Sequence, residues 1–207
     1  MHTYHTLPRN CKKFWGRRYK LFSRFDDGIY MTSELWYSVT PESIAQFSAS
    51  LIKYLLPDCN NILDVCCGGG GNTIQFAYLF DNVGGIDIKD INVQCTVHNA
   101  EVYEVADRIW THVGDWNEMS AEGDDESVST SWIPEHLRKS EDIDTTFDMI
   151  FCSPPWGGTS YNRGSNEFDL YQMEPFAIDK LLESMLQYTQ NIALFLPKSS
   201  NLDQLRE

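Results

Sequence analysis

The sequence has no CxxC pair, no long apolar run, and no acid before Asp26. Six cysteines stand at positions 11, 59, 66, 67, 95 and 152 without the paired spacing of a zinc site. Cys66 and Cys67 are adjacent inside a glycine-rich turn, a poor place for a disulfide framework, and are expected to be reduced thiols of an intracellular protein. Without a long apolar run no membrane-spanning helix is expected, and "MHTYHTLPRNCKKFWGRRYK" lacks the apolar stretch of a secretory leader. No internal repeat occurs.

What is present is 207 residues, enough for one well-cored domain, with a formal net charge of −14. That sign argues against a general nucleic-acid coat. The charge is uneven, however. Arg9, Lys12, Lys13, Arg17, Arg18, Lys20 and Arg24 give the stretch before Asp26 a charge of +7, leaving −21 for the remainder. Composition alone leaves two readings of this end, a solvated tail or a phosphate-binding arm.

The segment "KKFWGRRYKLFSR" interleaves aromatic and basic residues and predicts a short helical arm, assigned to residues 1–36. "SVTPESIAQFSASLIKYL" predicts a helix, with Thr40 as N-cap, Pro41 in the first position and Glu42 at the positive end. Ile44, Phe47, Leu51 and Tyr54 recur at helical spacing. A β/α alternation follows. Strands are expected at 61–65, 83–88, 109–116, 147–153 and 191–197, with helices between the first three and before the last. This predicts an α/β fold, a mostly parallel sheet with helices on both faces, over residues 37–207. Residues 117–146 are acid-rich and poor in apolar side chains, and are expected to form a mobile, solvated insertion without chemistry.

The first strand leads into Asp64-Val-Cys-Cys-Gly-Gly-Gly-Gly-Asn72. Asp64, Gly68 and Gly70 fit D-x-x-x-G-x-G, in which the acid takes the amino group of S-adenosylmethionine. The dinucleotide pattern fits less well, because its third glycine would fall on Thr73. Asp87 ends the second strand, where an acid can hold ribose hydroxyls. Asp115 ends the third and can accept an adenine amino proton, with Trp116 or Ile88 packing on the ring.

The fourth strand runs into "CSPPWGG". Open α/β sheets bind ligands at the carboxyl ends of their strands, so this corner should face the crevice of Gly68 and Asp87. Proline fixes φ and removes a donor, so Ser153-Pro154-Pro155 presents carbonyls and one hydroxyl in a stiff array. Such acceptors suit an exocyclic amine on a base, whose hydrogens they orient, while Trp156 can stack on the ring.

Three segments together resemble the trimethylguanosine synthase family: "RRYKLFSRFDDGIYMTSELWYSVTPE", "ILDVCCGGGGNTIQFA" and "SPPWGG". "HNAEVYEVADRI" and "FLPKSSNLDQL" agree with it too. The resemblance implies a Rossmann-like class I methyltransferase sheet and S-adenosylmethionine as methyl donor, with S-adenosylhomocysteine as product. It implies methylation at N2 of a 7-methylguanosine cap, giving the 2,2,7-trimethylguanosine cap of small nuclear and nucleolar RNAs. The partners implied are capped snRNA and snoRNA and their snRNP and snoRNP proteins, the location is the nucleus and nucleolus, and neither metal nor membrane is expected. Trp156 would stack on the cationic cap base, with Ser153 and Pro154 orienting N2. Phe22, Thr40, Asp64, Gly68, Gly70, Asn72, Asp87, Ile88, Asp115 and Trp116 would hold the methyl donor. Lys13, Tyr161 and Lys198 would lie near the cap phosphates.

Two departures stand out. Thr159 replaces the family's usual proline, and the chain stops soon after its fifth strand, so the terminal antiparallel hairpin of such sheets is expected to be lacking. Two alternatives stay open: an amino methyltransferase for another base or a protein glutamine, and a truncated, non-catalytic cap-binding module.

Overall fold

The computed structural model describes residues 4–121, 130–138, 147–156 and 167–206. Five parallel strands form one sheet: β1 (Asn61–Val65), β2 (Asn82–Asp87), β3 (Ile109–Val113), β4 (Met149–Cys152) and β5 (Ile192–Leu194), in the order β3-β2-β1-β4-β5. The chain runs outward from β1 to β3, then crosses back to the other side of β1 for β4 and β5. The switch point therefore lies between β1 and β4, where open sheets of this class bind ligands.

Alternation along the strands separates two cores. Ile62, Val83, Met149 and Phe151 face one layer, built from α3 (Glu42–Leu55), α4 (Gly71–Ala77) and α5 (Asp90–Val102). Leu63, Val65, Ile150 and Cys152 face the other, where α7 (Ile178–Leu186) contributes Ile178, Leu181 and Met185. Two-residue periodicity sends neighbouring side chains to opposite faces, so both faces need apolar residues and both carry helices. No helix is long and apolar enough to cross a membrane among the described residues.

The N-terminal segment forms a 3-10 turn over Lys12–Arg17, a turn of helix α1 (Arg18–Leu21) and a further turn α2 (Leu35–Ser38). Leu7, Cys11, Leu21, Phe22, Phe25, Ile29 and Trp36 are buried within the first core. Asn99 of α5 ties this arm down: its Oδ1 accepts from Tyr30 N at 2.8 Å, and its Nδ2 donates to Tyr30 O at 3.0 Å. Glu42 does the same at the head of α3, accepting from Ser23 N, Ser23 Oγ and Tyr103 Oη.

Three expectations need correction. Thr40 is not the N-cap of α3; Pro41 is, and the Thr40 hydroxyl instead accepts from Asn72 Nδ2 at 3.1 Å. The helix predicted from the spacing of Ile44, Phe47, Leu51 and Tyr54 is present as α3, with that stripe facing solvent and Ala45, Ala49 and Ile52 burying the opposite face. Small residues there let α3 approach α4 closely, and that contact overrides the larger apolar stripe. Part of the acid-rich stretch is also core. Its first residues continue α6 (Trp116–Met119), Ile133 is buried, and Trp132 stacks on Phe147 with ring centroids 6.0 Å apart. Residues 122–129 and 139–146 lie outside the described residues. The expected strands also end early, β3 at Val113 and β5 at Leu194.

Candidate functional site

Register brings three strand ends together. Val65 pairs with Ile86 on one side and with Cys152 on the other. Cys66, Asp87 and Ser153 therefore leave the sheet side by side. The turn after β1 is tight: Gly68 and Gly70 have φ of +58° and +84°, a region where a Cβ is strained. Its polar groups are fixed by neighbours. Cys67 N donates to Ile86 O at 2.8 Å, Thr96 Oγ1 donates to Gly68 O at 2.8 Å, and Asn99 Nδ2 donates to Gly69 O at 2.9 Å. Leu35 of α2 lies against the turn so closely that a Cβ on Gly69 would be 2.8 Å from its Cδ1.

Asp64 is fully buried and faces α4. Thr73 Oγ1 donates to its Oδ2 at 2.6 Å, whereas Oδ1 has no partner among the described residues. Burial drives its carboxyl from 3.8 up to about 7, opposed by the Thr73 hydrogen bond. Asn72 Oδ1 is likewise buried and without a partner among the described residues. Two acceptors thus sit beside the glycine turn, and a buried acceptor lacking a donor is a destabilised group that a ligand's N–H or ammonium would satisfy.

Asp87 is buried and braces the turn. Its Oδ2 accepts from Gly68 N at 3.0 Å, and its Oδ1 accepts from Lys89 N at 2.9 Å and Asn92 Nδ2 at 3.2 Å. Ile88, next along, is 61% exposed. Asp115 caps α6 by accepting from Asn117 N at 3.0 Å. Trp116 points inward, its Nε1 donating to Ser184 Oγ at 2.8 Å, so of the two candidate ring neighbours only Ile88 presents a free surface. Phe22 is equally internal, packed 6.2 Å from the Tyr103 ring.

Beyond β4, Ser153 is half-buried, Pro154 buried and Pro155 exposed. The Trp156 indole stacks on Phe195 with centroids 5.8 Å apart and planes at 27°. Phe195 is itself anchored, its N donating to Cys152 O at 2.9 Å. Lys198 is exposed; Lys13 is exposed too, with its ammonium 4.8 Å from the Phe14 ring centroid. Tyr161 lies outside the described residues.

Four residues of this arrangement were not singled out from the sequence: Thr73, Thr96, Asn99 and Phe195. Thr73 was met there only as a break in a glycine pattern. Thr96 and Asn99 sit 28 and 30 residues from the carbonyls they bind, a separation that no local pattern encodes. Phe195 was visible only as an apolar strand residue.

Comparison with known proteins gives the chain a family. A family model for RNA cap guanine-N2 methyltransferase matches residues 59–207. The trimethylguanosine synthase of Saccharomyces cerevisiae is 44% identical over 195 residues, 93% of this chain and 56% of that protein. Its Schizosaccharomyces pombe counterpart is 34% identical over 200 residues, 96% of this chain and 75% of that protein. The chain thus spans little more than half of the first relative's length. Among solved structures, PH1948 of Pyrococcus horikoshii superposes with a TM-score of 0.52 at 14% identity, covering 84% of this chain and 71% of that one. That likeness concerns the fold alone. By the match of sequence and family model together, the chain belongs to the RNA cap guanine-N2 methyltransferase family.

Proposed function

We propose that this chain transfers methyl groups from S-adenosylmethionine to N2 of a 7-methylguanosine RNA cap, on small nuclear and nucleolar RNAs, in the nucleus and nucleolus. The observation that carries this reading is the placement of the Ser153–Trp156 corner at the switch point, one strand from the glycine turn. The methyl donor fits the opposite side of that point. Asp64 Oδ1 and Asn72 Oδ1 offer buried acceptors to its amino-acid end, and the glycine turn allows close backbone approach. Asp87 would hold ribose hydroxyls, Ile88 would flank the adenine and Asp115 would accept from its amino group, with Thr40 holding Asn72 in place.

When bound, S-adenosylmethionine supplies a methyl carbon already made electrophilic by the sulfonium. The chain's task is then orientation of a weak nucleophile. The Ser153 hydroxyl and the Pro154 carbonyl accept the hydrogens of N2, raising electron density on that nitrogen and fixing its direction. Trp156, held by Phe195, stacks on the base. Methylation at N7 makes guanine cationic, so an indole face prefers it to the neutral base. Lys13 and Lys198, with Tyr161, are assigned to the cap phosphates by their positions in the family motifs.

Calorimetry with each ligand separately tests the reading. Wild-type protein should bind S-adenosylhomocysteine and m7GTP, and bind GTP weakly. Equal affinity for GTP and m7GTP would overturn the cationic-base assignment.

A further inference from the structure

The stretch before Asp26 carries seven cations and no acid on a chain of net charge −14, and its surroundings set it apart. Lys198 excepted, the described lysines and arginines beyond Arg24 are engaged. Lys89 pairs with Glu34, Lys180 with Glu183 and Arg206 with Asp203, while Lys53, Arg108 and Arg138 donate to backbone carbonyls. Among the described residues, none of the ion pairs reaches Arg9, Lys12, Lys13, Arg17 or Lys20. Arg9, Lys13, Arg17 and Lys20 are exposed. Among the described residues no acid is ion-paired with these five cations, in a chain with an excess of acids. A surface kept in that state is built for an external polyanion.

Aromatic rings are interleaved with these charges. Tyr19 is 45% exposed and held in place by its hydroxyl on Asp26 at 2.6 Å, with the Arg18 guanidinium 4.1 Å above its ring. Tyr4 is 46% exposed, with Lys12 at 5.1 Å. Cations alternating with fixed, exposed rings are the combination that follows a single strand, its phosphates on the charges and its bases on the rings. The arm is also joined to the site. Phe14 meets Tyr37 at 6.5 Å, Cys11 Sγ donates to Ser33 O at 3.3 Å, and Leu35 covers the glycine turn.

We infer that the exposed basic residues of the arm, Arg9, Arg17 and Lys20 with Tyr19, form a track for single-stranded RNA beyond the cap. It rests on the proposed function only for which end of the RNA leads, since an uncapped strand would lie on the same surface. Contacts are to phosphates and ring faces, so binding is independent of sequence and weakens with salt.

The test compares wild type with Arg9→Ala/Arg17→Ala/Lys20→Ala, using m7GTP, a capped RNA of about ten nucleotides and the same RNA uncapped. All three changes are at exposed sites outside the cap and donor pockets. Wild type should bind capped RNA more tightly than m7GTP, and the triple variant should lose about tenfold of RNA affinity at low salt. The slope of log affinity against log salt should fall in magnitude by about 2, at roughly 0.7 per phosphate on a single strand. Affinity for m7GTP should be unchanged, which also verifies the fold of the variant. Capped RNA bound no more tightly than m7GTP, or an unaltered salt slope in the variant, would overturn the track. Failure of m7GTP to bind while uncapped RNA keeps its arm-dependent slope would instead remove the cap reading and leave the track standing.

Discussion

At the scale of single residues, the proposed function rests most heavily on Trp156 and Asp64. The indole follows a proline pair in the chain and stacks on Phe195, so a base would meet a surface already oriented. Replacing it in Trp156→Ala should weaken m7GTP binding by about 1–3 kcal/mol, the usual worth of one base stack. Binding of S-adenosylhomocysteine should be retained, and titration by calorimetry separates the two. Asp64 adds a pH dependence of definite sign. Its folded-state carboxyl titrates near 7 against 3.8 ordinarily, so the folded chain holds a proton that the unfolded chain releases in between. Stability of the free protein should therefore fall as pH rises from about 4 to about 7. An ammonium group favours the ionised carboxylate, so methyl-donor affinity should rise across pH 6 to 8. In Asp64→Asn that rise should vanish; an identical profile in the variant would exclude Asp64 as the amino-group acceptor.

At the scale of elements, helix α5 governs the site from a distance. Asn99 holds both the arm at Tyr30 and the glycine turn at Gly69, and Thr96 holds Gly68. Asn99→Ala leaves the buried Gly69 carbonyl without this partner and frees the part-buried Tyr30 N and O, and should destabilise the fold by about 1–3 kcal/mol. A urea melt measures this, and donor affinity should drop with it while the m7GTP stack on Trp156 is spared. The sequence made the strands, the glycine turn and the strand-end acids legible because each is a local pattern. It did not reveal the clamp by Asn99, nor that Trp132 and Ile133 belong to the core. Both depend on partners far away in the chain, and an acid-rich neighbourhood concealed the second. The Thr40 assignment failed for a related reason: a hydroxyl that could cap a helix is taken by Asn72, 32 positions on.

Taken whole, the molecule has one switch point, between β1 and β4, at which the proposed function would separate the two ligands. On the proposed function, the methyl donor would lie over the ends of β1, β2 and β3 and the cap base beside the corner that follows β4, on the two sides of that point in the strand order. Asp87→Ala should therefore lose the methyl donor and keep m7GTP, the reverse of Trp156→Ala, with some loss of melting temperature because Asp87 also braces Gly68. Equal loss of both ligands in both variants would contradict this division. Methyl transfer itself decides whether the two sides of the switch point work together. Purified protein is incubated with S-adenosylmethionine and either m7GTP or GTP, and the methylated atom of the product is identified by mass spectrometry and NMR. Methylation is expected at N2 of m7GTP and not on GTP. Equal methylation of the two, or transfer to another atom, would contradict it.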